Sequence, residues 1–263
     1  MENYLSLFFI NLAAAAVLMT AGWVVSLVRN NVTIADSFWG LGFVLIAWLT
    51  FFITDGFIVR KIILAMLVTF WGLRLFIHMS TRNRGKGEDP RYAQWREKHG
   101  PNFWLISLFK VFLIQALFQW AISLGIQYGQ VAALPARLTF FDFAGIIIWI
   151  TGFIIESIAD YQLSVFIKNH VNKGKIMNAG LWRYSRHPNY FGESLIWWGI
   201  FVIVLSTPWG IWTIISPLLI TYTLLKLTGV TLMEETEFAD NPEYQQYVSS
   251  TSAFIPWFSK KHE

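Results

Sequence analysis

Long apolar stretches alternate with short polar segments along the whole chain of 263 residues. A helix needs about 20 apolar residues to cross the hydrocarbon core of a bilayer, so each stretch predicts one membrane-spanning helix. Helices are favoured because backbone polar groups in lipid must be satisfied within the spanning segment. The pattern predicts an all-α, polytopic membrane protein with seven spans. The predicted spans are Tyr4–Val28, Phe38–Ile53, Ile62–Ile77, Phe103–Tyr128, Phe140–Ile158, Tyr190–Ser206 and Trp209–Leu225.

The basic residues indicate which way the spans point. Fifteen of the 20 Lys and Arg residues share one side when the loops after the first, third and fifth spans are grouped with the C-terminal segment. The loops of the other side hold Arg60, Lys61 and Arg137. Because positive charge favours cytoplasmic loops, we predict an external N-terminus and a cytosolic C-terminus. A bacterial inner membrane is the expected location.

Domain organisation is predicted to be simple. No linker, repeat or low-complexity tract divides the sequence, so residues 1–263 are expected to form one integral-membrane domain. The first span is expected to be retained, since its apolar run is too long for a signal peptide and no basic segment precedes it.

Composition narrows the function classes. The chain is 55% hydrophobic and 14% charged, whereas soluble domains contain about 25% charged residues. This composition excludes a disordered protein. The absence of Cys excludes disulfides and Cys-ligated metal sites. The five His residues are scattered without a metal-ligand spacing, so no metal is expected.

Two acids near the end of the fifth span indicate a polar pocket. Glu156 and Asp160 are four residues apart and therefore share one helix face. Charged groups within a span usually face the bundle interior and mark a function. A pocket for a ligand rich in hydroxyl and amide groups is one interpretation, and an ion pair with Arg74 or a basic loop residue is the alternative.

The stretch from Gly180 to Glu193, with the sequence GLWRYSRHPNYFGE, carries the densest chemistry. Pro188 favours the first turn of a helix, and a helix N-terminus favours an anion. Arg183 and Arg186 precede that end, and Asn189 and Glu193 follow it on one helix face. A site for a phosphate-bearing cofactor is one interpretation, and a basic anchor at the membrane interface is the other.

Two further segments complete the cytosolic side. The loop from Arg82 to Tyr92 is rich in Gly and charge, so it either closes over a cofactor or is a solvated loop. Lys226, near the end of the seventh span, is either a phosphate partner or a lysine that snorkels to the interface.

These segments resemble the membrane steroid 5-alpha-reductase family, and its bacterial branch most of all. The resemblance covers nearly the whole chain, but the Arg-His-Pro-Asn-Tyr core also resembles membrane methyltransferases. Its elements are the stretch 180–193, Asp36-Ser-Phe-Trp39-Gly40, Gly87-Glu-Asp-Pro-Arg-Tyr92, the segment from Glu156 to Gln162, and the tail segments 226–234 and 244–256.

The resemblance implies a seven-span enzyme that uses NADPH to reduce the conjugated C=C bond of a lipophilic enone, for example a 3-oxo-4-ene steroid. Hydride goes to the β carbon while an acid polarises the ketone oxygen. The expected partners are this substrate and membrane lipid, with no nucleic acid and no metal. The residues that we expect to contact the cofactor are Arg82, Arg91, Glu156, Asp160, Arg183, Arg186, His187, Asn189, Tyr190, Glu193 and Lys226.

The catalytic acid is where this chain departs from the family. The animal enzymes pair a span-two Glu with a span-three Tyr, and the matching positions here are Asp36 and Trp71. Because Trp is not an equivalent proton donor, we consider Asp36, Tyr92 and Tyr184 as the catalytic candidates. A membrane S-adenosylmethionine-dependent methyltransferase of the isoprenylcysteine or phospholipid type is the alternative function, and a non-enzymatic lipid or sterol carrier is a third.

Overall fold

The computed structural model describes residues 2–227 and 242–258, and every regular element in these ranges is helical. The all-α prediction is therefore confirmed. The principal helices are α1 Glu2–Arg29, α2 Ile34–Ile53, α3 Ile58–Asn83, α4 Pro90–His99, α5 Phe103–Ser107, α6 Ile114–Ile122, α7 Leu124–Val131, α8 Phe140–Lys168, α9 Pro188–Val204, α10 Ile215–Tyr222 and α11 Pro242–Ser250. Two π-helical segments, Leu108–Leu113 and Thr223–Leu227, join α5 to α6 and continue α10.

Within the described ranges, six helical segments are long and apolar enough to cross a membrane. The chain is therefore an integral, multi-pass membrane protein. The predicted span Tyr190–Ser206 corresponds to α9, which has 17 residues. The count of seven and the orientation stay predictions. The six segments are Tyr4–Arg29, Ile34–Ile53, Ile58–Asn83, Pro90–Ile122, Phe140–Lys168 and Gly210–Leu227.

The contacts group the chain into two compact units. The first unit comprises Met1–Leu138 and Ser206–Thr213, and the second comprises Thr139–Leu205 and Ile214–Glu263. The first unit contains α1–α7, and the second contains α8–α11. The expectation of one integral-membrane domain stays a prediction.

Glycines let α8 and α9 touch backbone to backbone in the second unit. A Cβ atom on Gly152 would lie 2.6 Å from Gly192 O, and one on Gly145 would lie 2.5 Å from Gly199 O. Small residues at such positions are typical of helix pairs in membranes. The close approach aligns the polar end of α8 with the first turns of α9.

Helix ends follow the local sequence. Pro188 is the first residue of α9, as its position before the sixth span predicts. Thr139 and Asp142 form a capping box at the start of α8. The polar segment between the third and fourth predicted spans is not a loop throughout, because it contains α4. Asp89 caps that helix by accepting a hydrogen bond from Arg91 N, and Pro90 occupies its first position.

Candidate functional site

A phenol and a carboxylate meet at the start of α2 in the first unit. Tyr92 Oη donates a hydrogen bond to Asp36 Oδ1 at 3.4 Å. The guanidinium of Arg91 lies 5.7 Å from the centre of the Tyr92 ring. Two of the three catalytic candidates are thus in contact with each other.

The segment just before α4, the helix that carries Tyr92, is attached to the turn before α2 by two hydrogen bonds from backbone N–H groups to side-chain oxygens. Val32 N donates to Glu88 Oε1 at 2.8 Å, and Asp89 N donates to Thr33 Oγ1 at 2.7 Å. Because these two bonds attach the start of α4 to the residues just before α2, they hold Tyr92 close to Asp36.

Arginines complete the attachment of the loop. Arg96 makes two hydrogen bonds of 2.8 Å to the carboxylate of Glu88. Arg91 makes two of 2.9 Å to that of Asp89, and such bidentate pairs fix geometry as well as charge. Arg82 is exposed, and its charge is one of those that lower the pKa of Asp89.

The pKa values of Glu88 and Asp89 follow from these bonds. Burial alone would raise the pKa of Glu88, but the hydrogen bonds from Arg96 and from Val32 N lower it below its ordinary value. Burial opposes the shift at Asp89 as well, and the side-chain and backbone hydrogen bonds from Arg91 lower its pKa. Both groups are therefore held as carboxylates.

A second polar cluster lies between α8 and α9 in the second unit. Asn189 Nδ2 donates to Asp160 Oδ1 at 3.1 Å. Asp160 is 7% exposed, Glu156 is 2% exposed and Glu193 is 7% exposed. A Cβ atom on Gly192 would lie 2.6 Å from Glu156 N, so α9 runs against α8 at this level. The predicted shared face of Glu156 and Asp160 is thus buried beside Asn189 and Glu193.

Arg186 is engaged with the C-terminal segment of the same unit. Its Nη1 donates to Val248 O at 3.0 Å and to Thr251 O at 2.6 Å, and its backbone N donates to Ser252 O. The structure thus places Arg186, a predicted phosphate ligand, at the end of α11, where its guanidinium donates hydrogen bonds to backbone carbonyl groups. Its proposed contact with the cofactor stays a prediction.

The remaining candidates of the second unit lie in different surroundings. His187 and Tyr190 stack with ring centres 5.5 Å apart and planes 4° apart. Tyr184 is 39% exposed and meets the Phe258 ring edge-on. Arg183 and Lys226 are exposed. The structure does not bring Tyr184 into the polar cluster between α8 and α9.

Comparison with known sequences places the chain in a family. Residues 22–251 match the family described as "Protein of unknown function (DUF1295)". The chain belongs to that family. Its similarity to an uncharacterized protein of Schizosaccharomyces pombe is 26% identity over 97% of this chain and 81% of the relative.

A second relative matches only part of this DUF1295 family chain. It is named "Probable O-methyltransferase ustE", comes from Ustilaginoidea virens, and is 44% identical over 62 residues. That match covers 24% of this chain and 20% of the relative. No solved structure matches the chain.

Sequence reasoning missed several residues that position the two clusters in this family member. Ser185 Oγ donates to Phe254 O at 2.8 Å, and Trp182 Nε1 donates to Ala159 O at 3.1 Å. No local signal marks Ser185, because its acceptor lies 69 positions away. Thr33 has a weak signal, since it is a good capping residue at the start of an apolar run.

The remaining predictions concern Trp71, the tail of the chain and the binding of a metal ion. Trp71 is fully buried, with its ring 5.4 Å from that of Phe43, so this position belongs to the core of the first unit. Glu234, in the resembling tail, lies outside the described residues. Among the residues that are described, no group of three or more His, Cys, Asp or Glu side chains is placed to hold a metal ion.

Proposed function

We propose that the protein is an NADPH-dependent reductase that acts on the conjugated C=C bond of a lipophilic enone. The observation that carries this proposal is the hydrogen bond from Tyr92 to Asp36. It puts a proton-donating group beside a carboxyl group at the end of a membrane span. The resemblance described above supports the same reaction.

The reaction requires a donor at a defined place. Hydride addition to the β carbon of an enone builds negative charge on the ketone oxygen, and a positioned hydrogen-bond donor stabilises that charge. We assign this role to Tyr92, whose single O–H is donated to Asp36 here and would turn to the ketone oxygen when the enone is bound. NADPH, when bound, supplies the hydride, and a proton from water completes the reduction at the α carbon.

The polar cluster of the second unit fits part of the cofactor. Asn189 Nδ2 is committed to Asp160, whereas the buried Asn189 Oδ1 has no hydrogen-bond partner in the described ranges. A buried carbonyl oxygen in this state favours a ligand N–H, because an unmet hydrogen bond is costly. The carboxamide N–H of a nicotinamide has this chemistry, so Asn189 would hold that group.

Exposed cations would hold the other end of the cofactor. Arg183 and Lys226 are exposed on the second unit, and Arg matches the geometry of phosphate. We assign the phosphates of NADPH to these two residues. Arg186 then acts mainly by holding α11 in position, because its Nη1 already donates to two carbonyl groups.

A ligand panel on the purified full chain in nanodiscs tests the proposal. A ligand that binds the native state alone raises its thermal stability. We expect NADPH to raise the melting temperature of the wild type but not that of Asn189→Ala. The exposed Asn102 provides the matched control, Asn102→Ala, which should respond as the wild type does. No response of the wild type to NADPH would refute the proposal.

The alternative function is methyl transfer from S-adenosylmethionine. The partial similarity to a "Probable O-methyltransferase" favours it. In that case S-adenosylmethionine, and not NADPH, would raise the melting temperature in the same panel.

A further inference from the structure

Uncharged polar side chains form a buried row inside the first unit. Gln119 and Ser123 are four residues apart, Gln127 follows four residues later, and Gln130 three residues after that, so all four lie on one helical face. Each is fully buried, as are Asn11 on α1 and Thr50 on α2, which face the row. We call these six side chains the amide row.

Part of the row is paired internally. Asn11 Nδ2 donates to Thr50 Oγ1 at 2.9 Å and to Gln127 Oε1 at 3.0 Å. Gln127 Nε2 donates to Ser123 Oγ at 2.8 Å. These bonds tie α1, α2 and α7 together and use every N–H of the Asn11 and Gln127 amides.

Other polar atoms of the amide row are not paired in this way. Gln119 Nε2 donates to Phe38 O and Trp39 O, but Gln119 Oε1 has no hydrogen-bond partner among the described residues. The same holds for Asn11 Oδ1 and for both polar atoms of the Gln130 amide. Four buried polar atoms of the first unit thus lack partners in the described part of the chain.

Unmet hydrogen bonds of this kind indicate a ligand. A buried polar group without a partner costs roughly 1–3 kcal/mol in proteins, and lipid offers no substitute partner. The ligand must donate to Asn11 Oδ1 and Gln119 Oε1, and it must both donate to and accept from Gln130. The row carries no formal charge, so an anion or a cation is disfavoured.

We propose that the amide row binds ordered water molecules inside the first unit. Water both donates and accepts, and buried waters typically make about three hydrogen bonds to otherwise unsatisfied groups. At about 1.5 Å per residue, the stretch from Gln119 to Gln130 rises about 16 Å, which is long enough for several water molecules in a row. The row is therefore a hydrated track inside the first unit, and none of its residues is among the proposed cofactor contacts.

Radiolytic labelling of the full chain tests this proposal on the wild type. Met19 is fully buried, and its sulfur lies 3.6 Å from Gln119 Nε2. Phe112 is fully buried in the same apolar core cluster as Met19 and serves as the internal control. X-ray pulses convert bound water to hydroxyl radicals that oxidise neighbouring side chains. After exposure in ¹⁸O-labelled water, we expect ¹⁸O in Met19 but not in Phe112.

Substitutions provide the second arm. Gln119→Leu should remove most of the Met19 label, and Ile126→Val, a buried change on α7, should leave it intact. Gln130→Leu should lower the melting temperature, because the replacement loses bonds to water. The proposal fails if Met19 of the wild type stays unlabelled, or if Gln130→Leu raises the melting temperature, as removal of a dry, unsatisfied amide would.

Discussion

The hydroxyl of Tyr92 donates to Asp36 Oδ1 across 3.4 Å, although the two residues are 56 positions apart in the sequence. The contact depends on the turn before α2, where Thr33 and Val32 bind the loop that precedes Tyr92. The single O–H of this phenol can turn from Asp36 to a developing negative charge by rotation about one bond, without a large rearrangement of the chain. This pair is therefore the centre of the proposed chemistry.

Tyr92→Phe removes the donor and keeps the ring. We expect enone reduction to fall at least ~100-fold, because general acid–base groups contribute about 10²–10⁴-fold to rate. NADPH binding should be unchanged, since the cofactor contacts assigned above lie on other residues. Tyr161→Phe, at a side chain that is 70% exposed, is the matched control. Equal rates for Tyr92→Phe and the wild type would remove Tyr92 from the mechanism.

Gly192→Ala tests the backbone contact between α8 and α9. Its Cβ atom would lie 2.6 Å from Glu156 N, and backbone has little room to yield. We expect a loss of about 1–3 kcal/mol in the free energy of unfolding, which is typical of overpacking. Gly87→Ala is the control, because a Cβ atom there meets nothing within 4 Å. An unchanged melting temperature for Gly192→Ala would show that the helices are further apart than described.

The pH dependence of stability tests the attachment of Glu88. Hydrogen bonds from Arg96 and Val32 N lower the pKa of Glu88 below 4.5. A carboxylate with a lowered pKa in the folded state stabilises it above the unfolded-state pKa, and this stabilisation is lost as pH falls through the folded-state value. The melting temperature of the wild type should therefore exceed that of Glu88→Gln at neutral pH, and the difference should shrink as pH falls below 4.5. A difference that grows toward acid pH would contradict this assignment.

Much of the fold could be predicted because lipid imposes a strong rule on the sequence. Apolar length located the spanning helices, and Pro188 located the start of α9. Helix α4 was missed because its stability rests on the Asp89 cap and on ion pairs rather than on an apolar stripe. Polar sequence of this kind also fits a loop.

The candidate site could be predicted only in part. Charged residues within or beside spans pointed to Asp36, Glu156 and Asp160, because a charge there is costly. The amide row could not be predicted, because Gln and Asn carry no charge and cost less free energy to bury than charged side chains do. The hydrogen bonds from Arg186 to Val248 O on α11 and to Thr251 O just after it could not be predicted either, since they join positions 62 and 65 residues apart.

Transfer of deuterium from NADPH labelled at C4 of the nicotinamide tests the central claim most directly. The purified chain would be supplied with a lipophilic enone and with each of the two C4-labelled stereoisomers of NADPH. We predict that one stereoisomer places deuterium on the β carbon of the saturated ketone and that the other does not. Unchanged NADPH and enone, together with methyl transfer from S-adenosylmethionine to a lipophilic acceptor, would contradict the proposed function.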